Sequence, residues 1–190
     1  MAFLSKAASA AISAKSTGSY LSPSKIADGG SARFAMLCDQ PLEFWEAWGT
    51  DSSGGSKPFR FPQEPTPEEV ILELGQYEPR YKDNGGVDIK FAVAFPVYHY
   101  EDARVKVMQL TQKSIINELD DIAQTDDYEN LTEWDFVLSR TGSKLTTVYT
   151  LRPAPRKAQS NKTIEAAWTD TKSGGFDIGR LLIGGDPFKA

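Results

Sequence analysis

VDIKFAVAFPVYHY, residues 87–100, alternates its side chains with a period of two. Ile89, Phe91, Val93, Phe95 and Val97 fall on one face, and Lys90, Ala92, Ala94, Tyr98 and Tyr100 on the other. That is the pattern of a strand with one face turned to a core. Glu101-Asp102-Ala103 is a short turn, so Arg104 to Leu110 should pair back as a hairpin.

Upstream, Ser31 to Asp39 alternates through Phe34, Met36 and Cys38. Pro41 interrupts, and Leu42 to Gly49 resumes. These segments predict one long, bent strand with a break at the proline. Asp51 to Ser56 is a Ser/Gly turn, and Lys57 to Phe61 a short returning strand. Pro62 to Asn84 is acidic and proline-rich. Within it, Thr66-Pro67-Glu68-Glu69 places an N-cap, a first-turn proline and acids at the positive end of a helix running to about Leu74. Gly75 to Gly86 is a polar excursion.

Downstream, Ile115, Ile116, Leu119 and Ile122 share a helical face within Thr111 to Gln124. Trp134 to Arg140 and Lys144 to Arg152 predict a second hairpin, joined tightly at Thr141-Gly142-Ser143 and ended by Pro153-Ala154-Pro155. The order is long bent strand, hairpin, helix, hairpin. It predicts a mainly β fold of the OB type, a five-stranded Greek-key barrel plugged by one helix, with residues 50–86 inserted between strands 1 and 2.

The ends read differently. In Met1 to Lys15, residues Phe3, Leu4, Ala7, Ala8, Ala11 and Ile12 are spaced for one helical face. Lys6 interrupts the apolar run, so no signal peptide is expected and an intracellular, cytoplasmic protein is. No run approaches the roughly 18 apolar residues that span a bilayer. Past Arg156 the chain is rich in Gln, Ser, Asn, Lys, Thr and Gly. The expected organisation is an arm over 1–30, a folded domain over 31–157, and a mostly flexible tail over 158–190 with order confined to Trp168 and Ile178–Ile183.

One cysteine, Cys38, and one histidine, His99, rule out an internal disulfide and a Cys/His zinc site. Both lie in strand-like runs and read as a packed thiol and a strand-edge imidazole rather than a nucleophile and its base. The Walker, GxSxG and HExxH patterns are missing from the chain. Asp120, Asp121, Asp126, Asp127 and Glu129 read as a solvated acidic face. No metal, cofactor or enzymatic role is expected. The net charge of −5 opposes phosphate binding overall, but residues 1–36 carry +3 and residues 37–86 carry −6.

Several segments, taken in order and spacing, resemble tailed-bacteriophage single-stranded DNA-binding proteins of the zinc-free, OB-only kind. They are GSYLSPSKI (18–26), SARFAML (31–37), PLEFWEAWG (41–49), KPFRF (57–61), FPVYHY (95–100), LTQKSI (110–115) and TEWDFVLSRTG (132–142). The resemblance covers roughly residues 1–153. It implies sequence-independent coating and protection of single-stranded DNA in phage replication, recombination and repair, within the host cytoplasm. It also implies replication partners for the tail and self-association through the N-terminal arm that carries Lys6, Lys15 and Lys25. The tail departs from many such proteins in being nearly neutral.

Single strands are held by rings that stack on bases and cations that meet phosphates. Lys90, Tyr98 and Tyr100 on one strand face, with Arg104 and Lys106 on the next strand, predict such a patch. Trp45 is taken as the more exposed of Trp45 and Trp48. Phe59, Arg60 and Tyr81 lie in or beside the insertion, Arg140 and Lys144 flank the second hairpin's turn, and Arg152 follows. The competing expectation is an OB-like protein-interaction or virion-associated module without DNA affinity, which the acidic net charge favours.

Overall fold

In the computed structural model, which describes residues 18–128 and 130–189, the central hairpin forms as β6 (Ile89–His99) and β7 (Arg104–Leu110). The expected bent strand is two strands, β2 (Ser31–Met36) and β3 (Leu42–Thr50), that pair antiparallel with one edge of β6. Met36 faces Val97 and Leu42 faces Ala94, so five residues of this strand answer two of β6. The excess is a bulge at residues 37–41, where Pro41 cannot donate to a ladder. β2 then pairs with β8 (Trp134–Thr141), and β8 with β9 (Val148–Pro155). β3 pairs on its other side with β4 (Ser56–Phe61) and with the two-residue β5 (Glu78–Pro79).

The sheet is mixed and does not close into a barrel, which corrects the expected closure. The outer edge of β7 is taken, in parallel, by β1 (Tyr20–Leu21). Helix α2 (Lys113–Ala123) packs against β7 and β9. Its Glu118 Oε2 accepts the amide of Leu151 on β9 at 2.8 Å, so a side chain answers a donor that a barrel partner would have taken. The second hairpin is also looser than expected. Residues 142–147 bridge it through a 3₁₀ turn at Lys144–Thr146, with Lys144 at φ 51°.

The main core lies on one side of the sheet. Phe34, Phe95, Phe136, Leu138, Met108, Leu110 and Ile115 of α2 are each no more than 1% exposed. The helix α1 (Pro67–Leu74) opens on the expected cap: Thr66 Oγ1 accepts the Glu69 amide, and Glu69 returns a carboxylate to the Thr66 amide. Its Val70 and Leu74 pack on Ala47 and Val87, beside Phe59 and Tyr77. The insertion is therefore seated on the end of β3. Gly49 permits this: a Cβ there would stand 2.8 Å from Tyr77 Cβ.

The opposite side of the sheet is covered too, by residues of the tail that was expected to be ordered only at Trp168 and Ile178–Ile183. Residues 158–173 form helix α3 (Ala158–Ser173), followed by a 3₁₀ segment at Ile178–Ile183. Ile164 of α3 packs with Ala35 and Tyr98. Leu181 is fully buried against Phe44, Ala92, Ala94 and Val107, flanked by Phe176, Ile178, Leu182 and Phe188. The alanines of β2 and β6 leave a flat apolar seat, and the tail fills it. The N-terminal helix expected in Met1 to Lys15 lies outside the described residues. No described helix is long and apolar enough to cross a membrane.

Candidate nucleic-acid interface

One strip of the outer side stays open. Residues two apart on a strand share a face, so β4 offers Pro58 and Arg60, β3 offers Glu46 and Trp48, β6 offers Lys90, and β7 offers Gln109. Register places Trp48 opposite Pro58, and Glu46 between Arg60 and Lys90. Tyr20 to Lys25 form one wall and Gly184 to Asp186 another, around a cleft of about 810 Å³. The floor crosses the strands at one end of the sheet, and Arg80 of the insertion leans over it.

A buried carboxylate organises that floor. Glu46, 4% exposed, accepts Trp48 Nε1 through Oε1 at 2.8 Å and Gln109 Nε2 through Oε2 at 2.7 Å. Arg60 Nε stands 3.3 Å from Oε2, off a hydrogen-bonding direction. The Arg60 guanidinium donates instead to Gln109 Oε1 at 3.2 Å and to the Leu181 carbonyl at 3.3 Å. Glu46 and Arg60 thus neutralise one another while fixing the indole edge. The Arg80 guanidinium sits over the Trp48 ring, 5.6 Å from its centroid. Lys90 is half exposed and lies 3.0 Å from Asp88. Lys25 and Arg80 are exposed and make no ion pair among the described residues. At the wall, burial raises the Tyr20 phenol above its ordinary pKa, against the nearby Arg60 charge. The cleft therefore offers a half-buried indole, a phenol, and cations on three sides.

Of the strand-binding residues named from sequence, Arg60 and Lys90 line this cleft and the others do not; Lys25, expected in a self-association arm, lines it as well. Tyr98 is 4% exposed beneath α3, edge-on to Tyr100 at 5.5 Å. Lys106 is fully buried and paired with Asp102, which also meets His99 Nδ1 at 2.8 Å. Burial favours the neutral Asp102, but hydrogen bonds from Lys106 and His99 outweigh it and hold the carboxyl below its usual pKa. Arg104 donates to the Gly18 carbonyl. Tyr100 Oη donates to Asp135 Oδ1 at 2.9 Å, and burial with that carboxylate pushes the phenol up to about 12. Arg140 Nη1 donates to the Ser24 and Ile26 carbonyls, each at 2.8 Å, pinning the N-terminal loop. These five serve the fold rather than an open groove.

Trp45 packs edge-on to Phe91 at 5.5 Å, so Trp48 and not Trp45 faces the cleft. Phe59 packs against Tyr77, with Lys57 over both rings. Tyr81 is 54% exposed on the insertion. Lys144 and Arg152 are exposed on the β8–β9 hairpin, away from the cleft lining. Cys38 packs against the main core, and burial pushes its thiol up to about 11, which suits an inert side chain. The cleft residues Tyr20 and Trp48 were not singled out in this role from sequence. The signal for Trp48 was its parity with Phe44, which is buried on the same face.

Comparison with protein-family models, curated proteins and solved structures gives no match to this chain.

Proposed function

We propose that this protein binds single-stranded DNA without sequence preference, in the cleft floored by Trp48, as a coat for strands exposed in replication, recombination and repair. It acts as a binder and not as a catalyst. The observation that carries the reading is a half-buried indole beneath a guanidinium, with Lys25 and Lys90 beside it, on an open strip crossing adjacent strands. Stacking tolerates every base because every base has a π-face, and cations beside it answer the backbone.

The sheet's connectivity also supports the reading. β7, β6, the β2–β3 pair, β8 and β9 follow one another across the sheet in the order that strands 3, 2, 1, 4 and 5 take in an OB-fold. We read the fold as an opened version of that Greek key, with β1 standing where the fifth strand would close it. In such folds the outer face of strands 2 and 3 receives oligonucleotides. Here the tail covers the middle of that face, and the cleft is what remains.

A titration of a fluorescent oligo-dT against the full chain tests this. We expect binding that weakens with salt and prefers single over double strands. If Lys25 and Lys90 each neutralise one phosphate, the slope of log K against log salt is between about −1 and −2, at roughly −0.7 per phosphate for single strands. Trp48→Ala should weaken binding by about 1–3 kcal/mol, the worth of one stacked base. Absence of binding at low salt, or equal affinity for a duplex, rejects the proposal.

A further inference from the structure

The insertion between β4 and β6 reaches the cleft with one side chain, Arg80, and holds that residue rigidly by its backbone. The Arg80 amide donates to the Trp48 carbonyl at 2.8 Å, and the Arg80 carbonyl accepts the Asp88 amide at 2.7 Å. The two preceding residues, Glu78 and Pro79, pair with Thr50 and Gly49. The bare Cα of Gly49 lets Tyr77 and Leu74 close onto β3. The result is a guanidinium over the indole without a carboxylate partner among the described residues. Arginine on a solvated surface gains little from such anchoring. At 5.6 Å from the centroid the guanidinium is in direct cation–π contact with the Trp48 ring, and only its exposed side chain, not its anchored backbone, has to move for a third plane to enter.

We propose that Arg80 recognises the base, not the phosphate. An unpaired nucleobase displaces the Arg80 guanidinium from its contact with the Trp48 indole and is then held between the two planes, with the insertion as the upper jaw of a base clamp. This rests on the single-strand reading of the cleft and specifies its chemistry. The ligand is an unpaired base within a strand, Trp48 is the lower platform, and Lys25 and Lys90 are left for the flanking phosphates. A planar, delocalised cation stacks on a base face, whereas a lysine ammonium keeps the charge without the plane.

The test compares an oligo-dT with an abasic oligomer of the same length, which keeps every phosphate and lacks every base. The full chain, R80A, R80K and K90A are titrated with both. The unsubstituted protein should prefer oligo-dT over the abasic strand by about tenfold or more, the worth of one stacked base. R80A should lose most of that preference while its abasic affinity stays within about twofold, and R80K should not restore it. K90A should weaken both strands alike. If R80A also weakens both alike, or R80K restores binding, Arg80 meets phosphate and the clamp is rejected while the binding reading stands. If R80A changes neither affinity, the clamp is likewise rejected. If the unsubstituted protein binds neither strand, the cleft reading itself fails.

Discussion

A chain ended after Lys157 is expected to lose solubility and cooperative melting, although the removed residues look like a tail in sequence. Leu181 is fully buried, and Ile164 is 2% exposed. Removing them uncovers two apolar patches on the same side of the sheet, Phe44, Ala92, Ala94 and Val107 under Leu181, and Ala35 and Tyr98 under Ile164. An exposed patch of that kind is a site of association. The point variant Leu181→Ala isolates the packing contribution and should cost about 2–5 kcal/mol, the range for emptying a buried leucine site. Urea denaturation followed by circular dichroism measures it. A truncated chain that stays soluble and melts where the full chain does would show that α3 and the 3₁₀ segment contribute nothing to the fold.

The second large effect is expected at Asp135, which is fully buried. Arg33 donates to its Oδ2 through Nε at 3.0 Å and Nη2 at 2.7 Å. Arg156 Nε and Tyr100 Oη meet Oδ1 at 3.0 and 2.9 Å. Arg156 also donates to the Trp134 carbonyl at 2.8 Å, so this carboxylate fixes the chain just before α3 begins. Replacing Asp135 with Ala leaves two guanidinium groups facing an empty site, one of them only 12% exposed. The expected cost is about 3–5 kcal/mol, as for breaking one partner of a buried pair.

A pH signature accompanies it. Burial and, after it, Asp135 lift the Tyr100 phenol from 10.0 to about 12. The raised group favours the neutral phenol in the fold. Its contribution to stability is therefore complete below pH 10 and lost as pH rises toward about 12. Without Asp135 that alkaline decline should become shallower. A loss below about 1 kcal/mol, within the usual range for surface pairs, would contradict this role for the carboxylate.

The hairpin at the centre of the fold was legible because its signal is local. Alternation over 89–97 reports a buried face whatever lies opposite, and a three-residue turn leaves one pairing for the strands it joins. Helix α1 was legible for the same reason, since Thr66 and Glu69 satisfy each other's amides within one turn. The tail was not, because its apolar residues carry no period. Ile164 is the one buried residue of α3, and Leu181 sits among glycines. What orders them is the flat alanine face of another element, and spacing within the tail does not encode that.

The site was half legible for a related reason. Arg60 and Lys90 were named, but Trp48 was passed over for Trp45. Across the bulge at 37–41, Phe34 faces the main core while Phe44 and Trp48, at the same parity, face the other side of the sheet. Lys106, Arg140 and Tyr100 read as exposed binding groups because their carboxylate and carbonyl partners are not visible in the alternation of their own strands. A cation's type is written in the sequence, whereas its partner is set by the packing of the chain.

The location of the bound strand is the point on which the account stands, and photocrosslinking reads it directly. Oligo-dT bound to the full chain is irradiated, and the adducts are mapped by mass spectrometry of the digested protein. Adducts are expected on Trp48 and Tyr20, suppressed by excess unlabelled single strand. Adducts confined to the β8–β9 hairpin or to Tyr81, with Trp48 and Tyr20 unmodified in a saturated complex, would contradict that location.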